Sequence, residues 1–267
     1  MNARAFLIRG LLAGLVAGLA TFFVAYLVAE PQVEAAISLE DAGASGEPAA
    51  EAHSHDHDEA AHSHSHGEEG GAEVSRSTQR TWGLLTGTLT IGLALGGIVA
   101  LVSAGAVGRI GRLLPGQTVA LVALIGFVSV ALVPFLKYPA NPPAVGSGDT
   151  IGDRTALYFG FLLLSVLAAV AATYAAVRLR GRIGTYGGTV IGAAGYLVVM
   201  VAAAEVFATV NELGDFPADV LWYFRRASLI TLATMWGVLG VVLAGLVGRL
   251  YRREAADADR RALAASL

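Results

Sequence analysis

All six histidines of the chain fall in one stretch, AHSHDHDEAAHSHSHG at 52–67, as His53, His55, His57, His62, His64 and His66. Neutral imidazole nitrogen is a common protein ligand for zinc, copper, nickel and cobalt, and Asp56 and Asp58 add carboxylate oxygens to the same run. Alternation at every second position puts three imidazoles on one side of an extended segment but scatters them around a helix. That pattern points to a flexible chelating loop rather than a preformed helical site. Two plainer readings stand beside metal capture: a solvated low-complexity linker, and a pH sensor working through histidine charge. A purification tag would be terminal and contiguous, whereas this run is internal and mixed with acids. There is no cysteine, so disulfides and thiolate sites are excluded and any metal must be held by nitrogen and oxygen.

A second candidate sits inside an apolar run. Glu205 lies about five residues from Val210, the expected end of its span, or roughly 8 Å deep at 1.5 Å per residue. A lone carboxylate at that depth is costly unless it is paired, protonated or metal-bound. Thr209 and Glu212 follow at i+4 and i+7, so on a continuous helix all three would offer oxygen ligands from one face. The competing reading pairs Glu205 with Arg225 or Arg226 at the boundary. Asn211, Asp215 and Asp219 continue an acidic mouth nearby. A third stretch, LVPFLKYPANPPAVGSGDTIGDR at 132–154, is stiffened by Pro134, Pro139, Pro142 and Pro143 and should hold a definite shape. Within it Asn141, Asp149 and Asp153 offer oxygen ligands. Asp153 equally suits a helix N-terminus or a bridge to Arg154, and Lys137 and Tyr138 suit interfacial anchors.

The elements that carry these residues follow from composition. With 55% hydrophobic and only 15% charged residues among 267, the chain has too few polar side chains to cover a soluble globule. The first apolar segment, Phe6 to Ala29, exceeds the roughly 20 residues needed to cross a bilayer, and it reads as a retained anchor although LVA before Glu30 resembles a signal-peptidase site. Gly10, Gly14 and Gly18 leave a smooth stripe on it for another helix, and Gly92 with Gly96 repeats that spacing. Residues 30–81 hold twelve acids and little to bury, and read as a disordered or loosely ordered loop. Further spans are expected at 82–104, 117–136, 156–178, 187–208 and 227–248. The expected fold is an all-α integral membrane protein, a bundle of about six transmembrane helices with one long His- and acid-rich external loop. Its parts are a first helix at 1–29, the loop at 30–81, a five-helix bundle at 82–248 and a charged cytoplasmic tail at 249–267.

Orientation follows from Lys and Arg. With the N-terminus cytoplasmic, twelve of the 18 basic residues lie on the cytoplasmic side and six outside, which favours both termini in the cytoplasm of an inner membrane. The histidine loop then faces outward with 17 of the 21 acids, a surface that attracts divalent cations. RLLPGQT at 112–118 lacks the lysine of a phosphate loop, there is no HExxH, and no span contains histidine. The short arginine groups lie at span ends and do not indicate nucleic-acid binding. No nucleophile or base accompanies the carboxylates, so an enzyme is not expected.

The N-terminal GLLAGLVAGLAT span, the His/Asp-rich loop after it, and VPFLKYPANPPAVG followed by GDTIGDR together resemble the CbtA family of proposed cobalt transporter subunits. The resemblance implies about five spans, uptake of cobalt for cobalamin synthesis, and a small CbtB partner with its own histidine-rich segment. It carries the choice of cobalt, because N/O ligands alone do not separate cobalt from nickel or zinc. The cation is expected as cargo, with no prosthetic group; the candidate ligands are the six histidines, Asp56, Asp58, Glu205 and Glu212. Two alternatives stay open: a non-conducting metal-binding accessory or sensor, and a carrier of cobalt, nickel or zinc working in efflux.

Overall fold

A computed structural model describes residues 2–44, 75–143 and 145–266. These residues form helices joined by turns and irregular connections, with no strand among them, and five helices are long and apolar enough to cross a membrane. Helix α1 runs Ala3–Val24, passes through a π-helical turn at Ala25–Ala29 and continues over Glu30–Ala44. Helix α2 comprises Arg76–Thr78, a π turn at Gln79–Gly83 and Leu84–Ala106. Helix α3 comprises Pro115–Gly126, a π turn at Phe127–Leu132 and Val133–Lys137. Helices α4, Ile151–Val206, and α5, Ala218–Ala265, complete the set.

Lipid tails are as apolar as leucine, so apolar side chains gain little by leaving lipid for a helix interface, and close van der Waals packing must hold the helices together. The glycine stripe supplies it. Methyl groups added at Gly10, Gly14 and Gly18 would fall under 3.0 Å from the carbonyl oxygens of Gly96, Gly92 and Thr88, and methyls at Gly92 and Gly96 would collide with the backbone of α1. The pairings run in opposite order along the two helices, so α1 and α2 are antiparallel and touch backbone to backbone. Around this seam α1, α2, α3 and α5 share one core, with Phe6, Ala13, Ala17, Ala100, Val119, Leu239, Leu243 and Val247 buried.

Helix α4 is bent back on itself at Gly184, whose φ of 79° and ψ of 169° suit glycine almost alone. The fold-back point is this single residue, three positions ahead of the expected connection at Gly187 and Gly188. Residues 151–183 and 185–206 then lie side by side, because a methyl at Gly188 or Gly192 would meet the carbonyls of Ala176 and Ala172 at 2.6 and 2.8 Å. The hairpin joins the rest through α3, where Phe161, Ala169, Tyr196, Met200 and Ala203 form a second core against Ile125, Val128 and Val133.

A hydroxyl chain fixes that junction. In the π turn of α3 the Val133 amide bonds the Val128 carbonyl, so the next amide in register would bond Ser129. That next residue is Pro134, which has no N–H. The Ser165 hydroxyl of α4 donates to the Ser129 carbonyl instead, at 2.7 Å. Ser165 spends its one proton there, so the Tyr196 hydroxyl, 2.8 Å away on the other arm, is the donor to Ser165.

Two expectations are corrected. The segment 30–81 is not irregular from its start: α1 continues to Ala44 and α2 begins at Arg76, because Arg76 pairs with Glu30 and Arg80 with Glu34 across the two helices. Helix α4 ends at Val206 rather than near Val210, where Phe207 turns extended and packs its ring on Phe161. The fourth and fifth expected apolar segments fall on the two arms of α4, on either side of Gly184. The charged tail at 249–267 is helical through Ala265.

Gly14→Leu should abolish a stable fold, because two backbones cannot move apart by a side chain's width without breaking the core. Gly87→Ala, with nothing within 4 Å, should leave the melting temperature in detergent unchanged. Ser165→Ala should cost about 1 kcal/mol, within the range of membrane-buried hydrogen bonds, and lower that temperature measurably.

Candidate functional site

The arginines sort by topology. Connections that carry Arg109, Arg112, Arg178, Arg180 and Arg182 meet at one end of the bundle, where Arg180 abuts Gly111, and Gly116 lies against Gly248, next to Arg249. At the other end a cavity of about 1480 Å³ opens between α1, α2, α3, α5 and the first arm of α4. We call it the vestibule. Its floor is apolar, with Ile91, Leu95, Phe135, Leu232 and Trp236, and its rim carries Glu30, Lys137, Asn141, Arg154, Glu212 and Arg225.

Each rim group has an assigned partner. Glu30, only 7% exposed, pairs with Arg76 at 2.5 Å, which satisfies a carboxylate otherwise buried against α2. The neighbouring Arg80 reaches Glu34 and also lies 4.9 Å from the Tyr26 ring centre. Lys137, in the last turn of α3, donates to the Ala204 carbonyl at 2.6 Å, and Tyr138 donates to the Ala208 carbonyl at 2.8 Å. These two residues hold the end of α4, where helix carbonyls lack intrahelical donors. Arg225 donates to Asn141 Oδ1 at 3.1 Å and toward the Ala140 carbonyl at 3.4 Å, which fastens the proline-rich loop to α5.

Glu212 lies in the connection after α4 and clamps the proline-rich loop. Its Oε2 is 3.3 Å from Arg154 and accepts the Ser147 amide at 3.2 Å, while Arg154 also donates to the Ser147 carbonyl at 2.9 Å. Contact with the Thr150 hydroxyl is the largest effect on the Glu212 carboxyl; burial, second in size, opposes it, and the Ser147 amide and then Arg154 add to the lowering, so the carboxyl is held below its ordinary range. Gly146, with φ of 106°, places that turn beside the Arg154 guanidinium.

The expected helical face of Glu205, Thr209 and Glu212 does not exist, because α4 stops at Val206 and the latter two lie in an irregular connection. Glu205 is exposed and makes no ion pair or hydrogen bond among the described residues, and Arg225 and Arg226 are engaged elsewhere, Arg226 over the Tyr223 ring at 4.9 Å. Of the two readings of Asp153, the helix N-terminal acid matches the structure: it occupies the first turn of α4, while its neighbour Arg154 pairs with Glu212. His53, His55, His57, His62, His64, His66, Asp56 and Asp58 lie outside the described residues. Among the described residues no three His, Asp or Glu side chains converge as metal ligands. Sequence reasoning missed the roles of Lys137 and Arg225 as fasteners. Their only signal was position, one at the end of a span and one just before the next.

Five apolar helices, a polar vestibule at one end and arginine-rich connections at the other define a multi-pass membrane protein of the transporter-subunit class. The chain belongs to the CbtA family, described as probable cobalt transporter subunits, whose model matches residues 3–248. No curated protein and no solved structure matches it.

The depressed Glu212 carboxyl sets the sign of a pH effect. A carboxylate held below its ordinary value of 4.5 adds stability that is complete above that value and lost as pH falls through the lower, folded one. The protection of the Ser147 amide, its exchange slowed relative to the intrinsic rate at each pH, should therefore be full at neutral pH and fall on acidification below about 4.5, and Glu212→Gln should remove that pH dependence.

Proposed function

We propose that this chain is the membrane subunit of a cobalt uptake system, which captures divalent cobalt on its histidine-rich segment and delivers it to the vestibule end of the bundle. The observation that carries the proposal is the family match over residues 3–248. Geometry supports the delivery step. Helices α1 and α2 lead into and out of residues 45–74, and both are pinned beside the vestibule by the Glu30–Arg76 and Glu34–Arg80 pairs.

In this proposal each arm of α4 crosses the bilayer, so the chain spans it six times, with both termini in the cytoplasm of the inner membrane. The arginine-rich end is then cytoplasmic, as the positive-inside rule favours. Two or three imidazoles, with Asp56 and Asp58, hold the ion loosely enough to release it. Glu205, exposed at the end of α4 with no ion pair or hydrogen bond among the described residues, is the carboxylate offered to the ion next. Glu212 joins only by exchanging Arg154 for the ion. The chain contains no nucleotide-binding phosphate loop, so energy comes from the membrane potential, a coupled ion or a partner. A small CbtB-like histidine-rich subunit is the partner expected of a protein described as a subunit.

A second reading, a non-conducting subunit that hands ions to a partner, draws on the lack of converging metal ligands among the described residues. Radiolabelled cobalt uptake into proteoliposomes separates the two: a conducting chain accumulates the ion alone, and an accessory does so only with its partner. For a conductor, Glu205→Gln should lower uptake about tenfold, equivalent to about 1.4 kcal/mol, and deletion of 52–67 should raise the half-saturating concentration. Competition by nickel and zinc reports selectivity. Loss of an importer should create cobalt dependence in cells, whereas loss of an exporter would create cobalt sensitivity. A peptide spanning 50–70 should bind cobalt near neutral pH and release it on mild acidification as its imidazoles protonate; unchanged binding would assign the holding to carboxylates.

A further inference from the structure

The vestibule is built for more than a small cation. Among the charged groups that line it, Glu30 is paired with Arg76 and Glu212 with Arg154. Lys137 and Arg225 remain, both half-buried, and neither has a carboxylate partner among the described residues. Their partners are the Ala204 and Ala140 carbonyls, the Asn141 amide oxygen and, 5.6 Å from Lys137, the Tyr138 ring, none of which carries a negative charge to neutralise them among the described residues. A cation at the border of a low-dielectric region attracts an anion strongly.

Beneath the two cations the cavity becomes a trench. Leu232 and Trp236 follow Arg225 on α5 by seven and eleven residues, so the apolar wall extends about 16 Å toward the bilayer centre at 1.5 Å per residue. Ile91 and Leu95 of α2 form the facing wall. An ion needs no such floor. The volume, about 1480 Å³, also exceeds the several hundred Å³ of ordinary small-ligand pockets.

We infer that the vestibule binds one anionic phospholipid, its phosphate between Lys137 and Arg225 and its acyl chains along Ile91, Leu95, Leu232 and Trp236. Charge and shape choose this occupant together. A free anion accounts for the cations but leaves the trench empty, and an apolar helix fills the trench but leaves the cations unanswered. Trp222 and Tyr223, exposed one turn before the Arg225 level, are the aromatic residues typical of the headgroup boundary. The inference stands apart from metal transport, since it requires no metal. Its bearing on transport is electrostatic: the seated phosphate cancels positive charge that would oppose a divalent cation nearby.

The test uses the purified full chain, delipidated in neutral maltoside detergent and metal-free, with bound lipid counted by native mass spectrometry. Phosphatidylglycerol should bind at one saturable site and more tightly than phosphatidylcholine, whose choline offsets the phosphate. Lys137→Gln and Arg225→Gln should each weaken phosphatidylglycerol about tenfold, as expected for one charge-assisted contact. Arg225→Lys, which keeps the charge, should retain most of the affinity and guards against misfolding of the Gln variant. Equal affinity in all three variants and the parent would overturn the inference. Displacement of the lipid by inorganic phosphate alone would assign the cations to a free anion and also overturn it. A photoreactive side chain at Ile91 should cross-link lipid in native membranes, and cross-linking only a protein would give the trench to a partner helix. Cobalt uptake enters none of these readouts, so failure here leaves the transport proposal intact, and the reverse holds too.

Discussion

The backbone-to-backbone seam between α1 and α2 is the contact on which the other features depend. Gly10, Gly14 and Gly18 meet Gly96, Gly92 and Thr88 so closely that neither helix has room for a methyl group. In a bilayer, where apolar side chains gain little by leaving lipid, such contact replaces hydrophobic burial as the source of association. It brings the far ends of both helices together, so that Glu30 and Glu34 face Arg76 and Arg80 at helical spacing. The level at which Glu30 and Arg76 fasten the two helices together is therefore set by glycines roughly 18–30 Å away at 1.5 Å per residue.

A second constraint is that backbone groups in lipid must find partners within the protein. Prolines inside helices create debts of this kind, and two of the three π turns lie just ahead of one: Ala25–Ala29 before Pro31, and Phe127–Leu132 before Pro134. At Pro134 the unpartnered carbonyl becomes a fastening point, because Ser129 accepts from Ser165 and Ser165 from Tyr196. One missing amide thereby ties both arms of α4 to α3. The vestibule end of the hairpin is held by the same logic, with Lys137 and Tyr138 donating to carbonyls at and just past the end of α4.

The class of fold and the seam were legible in the sequence. Long apolar runs report membrane spans directly, and glycines four apart report close approach without reference to what approaches. The pairing of α1 with α2, in contrast, depends on tertiary matching of two stripes. The end of α4 was misread because the apolar character of 206–210 continues past Val206, while the break at Phe207 is imposed by aromatic packing on Phe161. Glu30 and Glu34 were taken for loop acids because their partners, Arg76 and Arg80, lie 46 residues away in sequence. Lys137 and Arg225 were taken for boundary residues because a cation at a span end reads the same whether it faces water, lipid or a carbonyl.

The six basic residues at the vestibule end illustrate how much the local partner matters. Counting them only as a minority against the positive-inside rule hides a division among them. Arg76, Arg80 and Arg154 are neutralised by Glu30, Glu34 and Glu212. Arg226 lies over the Tyr223 ring, while Lys137 and Arg225 rest on neutral oxygens at the cavity wall. A divalent cation near this wall meets two positive charges, even though most of the acids in the chain belong to the same end by sequence. The acids can concentrate the ion from solution, because attraction of that kind acts over about a Debye length. Within the vestibule the nearer charges decide, so Lys137 and Arg225 would oppose a divalent cation there unless an anion sat between them.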